Sequence, residues 1–153
     1  GVKIRTTTGG ITVDNIKADS LDLKVSTGNI KASNISLSGD MFISVSTGKA
    51  NISTVTCHTI SSSGSTGELN MTDVIAVNSF ELTRSTGDIT LNSCDADEIY
   101  IKTSTGDVSA TLLSDKVYIT KTDTGNIHTP STVTGGRCEI STSTGDINIK
   151  VLK

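Results

Sequence analysis

Tryptophan is absent from this sequence, proline occurs once, and aromatic residues make up 3% of its 153 positions. Hydrophobic residues reach 34%, against roughly 45–50% for an average globular domain, so a conventional thick core is out of reach. Basic residues are also scarce: 13 Lys and Arg face 16 Asp and Glu, for a net charge of -3. That excludes a basic nucleic-acid binder, and no nucleic-acid partner is expected. No apolar run is long enough for a transmembrane helix. Cysteine is sparse and odd in number. Cys57, Cys94 and Cys138 match no zinc or redox spacing and no disulfide framework, and are read as small buried apolar residues. No secretory leader opens at Gly1, and the expectation is of a fragment of a longer anchored or multidomain protein.

What the chain has in abundance is small hydroxyls, 25 Thr and 21 Ser, and an internal repeat. A Thr-Gly pair recurs at Thr8-Gly9, Thr27-Gly28, Thr47-Gly48, Thr66-Gly67, Thr86-Gly87, Thr105-Gly106, Thr124-Gly125 and Thr144-Gly145, always 19 or 20 residues apart. Such periodicity overrides the disorder that low hydrophobicity alone would suggest.

With each repeat Gly as position zero, apolar residues stand at minus seven (Val2, Leu21, Met41, Ile60, Phe80, Ile99, Tyr118, Cys138) and at minus five (Ile4, Leu23, Ile43, Leu82, Ile101, Ile140). Ser62 and Thr120 are the exceptions at minus five. Others stand at plus two (Ile11, Ile30, Ala50, Leu69, Ile89, Val108, Ile127, Ile147) and, mostly, at plus four. Polar residues fill the places between. This period-2 alternation argues for half-buried strands. A shorter segment follows in pairs such as Ile16/Ala18 and Ile35/Leu37, with the inward face changing parity at the corners.

No single repeat buries its apolar face alone, so stacking is required. The expectation is an all-β, single-domain fold over residues 1–153, a single-stranded parallel β-helix or β-solenoid. It has about eight coils of 19–20 residues, is about 38 Å long at strand spacing, and is right-handed by base rate. Gly at the corner supplies positive φ. The adjoining Thr hydroxyls are expected to form a ladder satisfying the bend. Position minus three fits badly, because Gly64 and Arg84 stand where Val25 and Val45 occur in other repeats; either that site is partly exposed near the corner or the register drifts there.

Candidate chemistry is thin. His58 and His128 lie in different repeats and read as surface polar groups. Asn34, Asn51 and Asn70 open Asn-x-Ser/Thr matches that a Ser/Thr-rich chain produces unaided. Asp88 and Asp107, with Glu68 and Asp146, make a broken acidic stripe suited to Ca²⁺, but solvated turns explain it more simply, and no cofactor or metal is expected. Arg5, Lys24, Lys102 and Lys121 form a weak basic stripe. Outward Phe42, Tyr100 and Ile119 are expected in coils too scattered to make a patch. Thr-x-Thr pairs (Thr6/Thr8, Thr103/Thr105, Thr122/Thr124, Thr142/Thr144) are similar to those of insect ice-binding solenoids, yet occur in half the coils and are directed by parity to the core. No insertion walls a cleft, so no catalytic residues are expected and the chain is not read as an enzyme.

The string Ser-Thr-Gly-Asp-Ile at Ser85–Ile89 and Ser143–Ile147, with variants at Ser26–Ile30, Ser104–Val108 and Asp123–Ile127, resembles a bacterial family of cell-envelope β-solenoids named as adhesins. The resemblance implies a cell-envelope or extracellular surface location and an adhesin-like, non-enzymatic binding role toward envelope polymers or glycans. The alternative is a scaffold: Val2-Lys3-Ile4 and Ile149-Lys150-Val151 would leave both solenoid ends uncapped for end-to-end assembly with further copies.

Overall fold

The computed structural model describes residues 1–130 and 134–151. Its strands join one sheet of fourteen, paired in parallel throughout. They are β1 Val2–Thr8, β2 Ile11–Ala18, β3 Leu21–Thr27, β4 Ile30–Leu37, β5 Met41–Thr47, β6 Ala50–Thr66, β7 Leu69–Thr86, β8 Ile89–Cys94, β9 Glu98–Thr105, β10 Val108–Leu112, β11 Lys116–Thr124, β12 Ile127–His128, β13 Gly136–Thr144 and β14 Ile147–Val151. The fold is a parallel β-solenoid. Among the described residues it makes about seven turns, and the level carrying Gly125 has the two-residue β12 on its second side.

The registers put each repeat position on its equivalent one level away. Leu21 pairs with Met41, Met41 with Ile60, Ile60 with Phe80 and Phe80 with Ile99. All five are buried. Columns of Leu, Ile, Val, Met, Ala and Cys thus form one thin continuous core, and the period-2 pattern is what aims them inward.

Two corners shape each coil. At the first, the repeat glycines have φ from 113 to 151°. From Gly28 onward a Cβ would also overlap the carbonyl oxygen of the glycine one level away. Glycine is therefore needed for close approach as well as for positive φ. At the second corner, six residues later, stand Asn15, Asn34, Thr54, Asp73 and Ser93, all left-handed with φ of 51 to 55°. That kink leaves two successive residues facing outward, as in Ser33-Asn34 between buried Ala32 and Ile35, and so changes the inward parity.

The levels do not stack in chain order. β13 lies between β9 and β11, and β14 lies between β10 and β12. The corner glycines therefore run 9, 28, 48, 67, 87, 106, 145, 125. The last coil is inserted beneath the one before it. Ile149-Lys150-Val151 pairs with β10 on one side, while on the other β12 reaches only Ile147 and Asn148, so among the described residues this stretch stays open on that side. The open edges are β1 and β2 at one end and β11 and β12 at the other.

The cause lies in residues 112–116. Leu112 pairs with Cys94 after a register shift, so this level lacks the extra left-handed residue of the second corner. Lys116, 3% exposed, reaches Asp95 Oδ1 at 2.8 Å and also donates to Ser114, whose hydroxyl donates to Asp95 Oδ2 at 2.8 Å. This cluster ties the start of β11 to the level of Gly87. Gly135 (φ 102°) and Gly136 then bring the last coil back where a Cβ would overlap the Asp115 and Asp97 carbonyl oxygens.

Candidate binding face

The Thr-Gly corner forms a continuous edge, but its hydroxyls do not do what parity suggests. Thr8, Thr27, Thr47, Thr66, Thr86, Thr105, Thr124 and Thr144 are all exposed, because alternation ends where the bend begins. The bend carbonyls are satisfied from inside, by threonines two residues earlier. Thr103 donates to Gly87 O at 3.3 Å, Thr142 to Gly106 O at 3.1 Å and Thr122 to Gly145 O at 2.9 Å. The Thr-x-Thr pairs therefore split, one hydroxyl outward and one inward.

The inserted level rearranges the acidic stripe. Asp88, Asp107 and Asp146 now stand on consecutive levels, followed by Asn126. Asp88 Oδ1 accepts from Asp107 N, Asp107 Oδ1 from Asp146 N, and Asp146 Oδ1 from Asn126 N, each at 2.8 Å. Asn29 Oδ1 does the same for Lys49 N at 3.0 Å. One oxygen of each carboxylate is thus engaged in holding the next level. No group of three or more metal-ligating side chains occurs among the described residues.

Position minus three is in register and inward. Arg84 is 2% exposed and pairs in register with Gly64, so neither local exposure nor a slipped register explains it. Cys57, Cys94 and Cys138 are buried free thiols. Burial pushes their pKa values up to about 12, 11 and 12, which makes them poor nucleophiles. His58 and His128 are exposed on levels far apart.

The outer face of the first side carries a shallow furrow. Glu81, Tyr100, Glu139 and Ile119 follow one another across four levels, with Thr83, Lys102, Ser141 and Lys121 alongside. They line a groove of about 370 Å³. A second groove of about 250 Å³, which shares Glu81 and Thr83, continues past Phe42 and Ser63. Insertion of the last coil places Glu139 between Tyr100 and Ile119, and Ser141 between Lys102 and Lys121. Tyr100 donates to Glu98 Oε2 at 3.1 Å, and that carboxylate raises the Tyr100 pKa. Ser61 donates to Glu81 Oε2 at 3.2 Å. The furrow thus has Phe42 at one end and Tyr100 midway, is bordered by two lysines and two glutamates, and is open along its length. Its side chains project in parallel from straight strands, a geometry that grips an extended ligand better than it converges on a single atom.

Sequence reasoning missed the second corner, the Lys116–Asp95 pair and the order of levels. Two signals were present. Asp115 stands nine residues after Gly106 where the preceding repeats place Ala, Leu or Cys, and Gly135-Gly136 stands where no other repeat has two glycines.

These features define a parallel β-solenoid domain with polar corner ladders and one shallow outer furrow. The model of the Toastrack DUF4097 family matches residues 52–153, and the chain belongs to that family, which has no assigned function. No curated protein matches the chain, and no solved structure does.

Proposed function

We propose that the chain is a non-enzymatic, adhesin-like binding module of the bacterial cell envelope that holds an extended glycan or envelope polymer along the furrow. The observation that carries this reading is the furrow itself. It runs over successive levels, offers the Tyr100 ring beside Lys102 and Lys121, and stays open at both ends. A polymer lies along such a channel without being enclosed, while the aromatic ring and paired polar groups supply contact and orientation. The envelope location is supported by the Ser-Thr-Gly-Asp-Ile resemblance.

Co-sedimentation with peptidoglycan sacculi, teichoic-acid-bearing walls and anionic vesicles tests the reading. Retention on one polymer is expected, and Tyr100→Ala and Lys102→Glu with Lys121→Glu should abolish it. Retention on none, or retention indifferent to these changes, removes the furrow from the account.

The open ends support a second reading, a scaffold grown by end-to-end pairing. β11 and β12 present unpaired backbone beside exposed Val117, Ile119 and Ile127, which is a template for another chain. Growth in light-scattering mass with concentration favours the scaffold. A constant monomer mass counts against it.

A further inference from the structure

Among the described residues three buried donors lack hydrogen-bond partners, Arg84 Nη2, Ser62 Oγ and Tyr118 Oη, and the first two sit on residues 2% exposed. These two belong to adjacent levels, since Ser62 and Gly64 of one strand pair with Leu82 and Arg84 of the next. Arg84 Nη1 donates to Thr83 O at 3.1 Å. The guanidinium lies over Gly64, where a Cβ would come within 2.7 Å of Nη1 and 3.0 Å of Cζ. Gly64 is what admits the long side chain, and Ser62, two residues earlier, shares the same inward face.

A guanidinium stays charged at any ordinary pH, and burying it without an opposite charge is costly. No carboxylate pairs with Arg84 among the described residues. Burial alone pulls its pKa down, with no charged neighbour contributing. Packing points to the same place. Relative to a regular Leu and Val column, Ser62 and Gly64 remove about five heavy atoms and Arg84 restores about four, so the side chains fall about one atom short in an interior that is otherwise close-packed.

We propose that Arg84 and Ser62 hold one monatomic anion of the halide class inside the solenoid core, between the levels of Gly67 and Gly87. The unpartnered groups are both donors and one is cationic, which suits a species that only accepts and carries negative charge. A shortfall of about one side-chain atom would admit a monatomic ion but leaves no room for phosphate or sulfate.

The test is thermal melting of the full chain at constant ionic strength, with chloride or bromide exchanged against gluconate. Because the anion binds only the folded state, Tm should rise by about 3–5 °C per tenfold halide once its Kd is exceeded. Sulfate should produce no difference between wild type and variants. Arg84→Val, which restores the residue found at Val25 and Val45, and Arg84→Met should both lose the halide dependence. Ser62→Ala retains the charge and should weaken it, which keeps the test informative if an Arg84 variant fails to fold. Crystals grown in bromide should show an anomalous peak within hydrogen-bond reach of Nη2. A wild-type Tm indifferent to halide overturns the proposal. So does a dependence unchanged in Arg84→Met, or a water with no anomalous signal at that position.

Discussion

Gly136 of the last coil lies so close to Asp97 that any side chain there would overlap the Asp97 carbonyl oxygen. Its neighbour Gly135 is equally tight against Asp115. Together they are the passage through which the C-terminal coil enters between two earlier levels. Gly136→Ala should therefore cost about 3 kcal/mol or more, because the obstruction is backbone and cannot rotate away. Gly9→Ala is the matched comparison, since nothing lies within 4 Å of a Cβ there and only its φ of 113° is unfavourable. Its cost should be about 1–2 kcal/mol. Urea unfolding of the two variants checks the difference, and equal costs would remove the threading argument.

The corner aspartates separate a hydrogen bond from a charge. Asp107 Oδ1 accepts from Asp146 N of the next level, while Asp107's own N–H donates to Asp88 Oδ1. Asp107→Ala removes one acceptor and should cost about 1 kcal/mol. Asp107→Asn keeps an acceptor, as Asn29 shows at the equivalent corner, and relieves repulsion from Asp88 and Asp146. It should match or slightly exceed wild-type stability at low salt, with the advantage fading as salt screens the row. Thermal melts at two ionic strengths read both effects. A loss on Asp107→Asn equal to that of Asp107→Ala would mean the charge itself is needed.

The core columns were legible because burial on one face imposes alternation of two, and each strand reports it independently. Ile43, Leu82 and Ile101 could be placed from spacing alone. The order of levels was not legible, for a reason inherent in repeats. Ile140 stacks on Ile101, yet the same face would accept Thr120 at the next repeat, and local pairing chemistry scarcely distinguishes them. Order is decided instead by the altered second corner at Leu112 and by the Lys116–Asp95 contact. The second corner was half visible. Asn15, Asn34 and Asp73 tolerate left-handed φ, but Thr54 and Ser93 conceal the pattern. On the furrow, the outward residues were readable, whereas the placement of Glu139 between Tyr100 and Ile119 depended on the inserted level.

Lys116 and Asp95 test what decides that order. Lys116→Met retains most of the buried stem but leaves Asp95 without the ammonium, and should cost about 2–3 kcal/mol. Pairing it with Asp95→Asn should cost clearly less than the sum of the two single changes, since the double variant strands no charge. A double-mutant cycle from urea unfolding measures the coupling. Additive costs would mean the contact does not act as a pair.

The three thiols predict how stability depends on alkaline pH. In the folded chain Cys57, Cys94 and Cys138 have pKa values of about 12, 11 and 12, raised chiefly by burial. Unfolded, each would ionise near an ordinary thiol value of about 8.5. Below that value both states hold their protons and the thiols contribute nothing to the pH dependence. Above it the unfolded chain loses protons first, so it binds fewer than the native chain and stability falls as pH rises. The fall should be about 1.4 kcal/mol per pH unit per thiol. It continues until the folded pKa values are reached, between about 11 and 12. Between pH 8 and 9 the tyrosines, whose ordinary value is about 10, are less than about a tenth ionised in the unfolded chain, so this early part of the fall belongs to the cysteines. Urea midpoints there should drop steeply for wild type and less steeply for Cys138→Ala or Cys57→Ala, even though each variant starts lower from lost packing. The same burial predicts that a disulfide reagent at pH 8 labels none of the three until the chain unfolds. Rapid labelling of native protein, or a wild-type slope shared unchanged by the alanine variants, would show that these thiols are reached by solvent in the folded state.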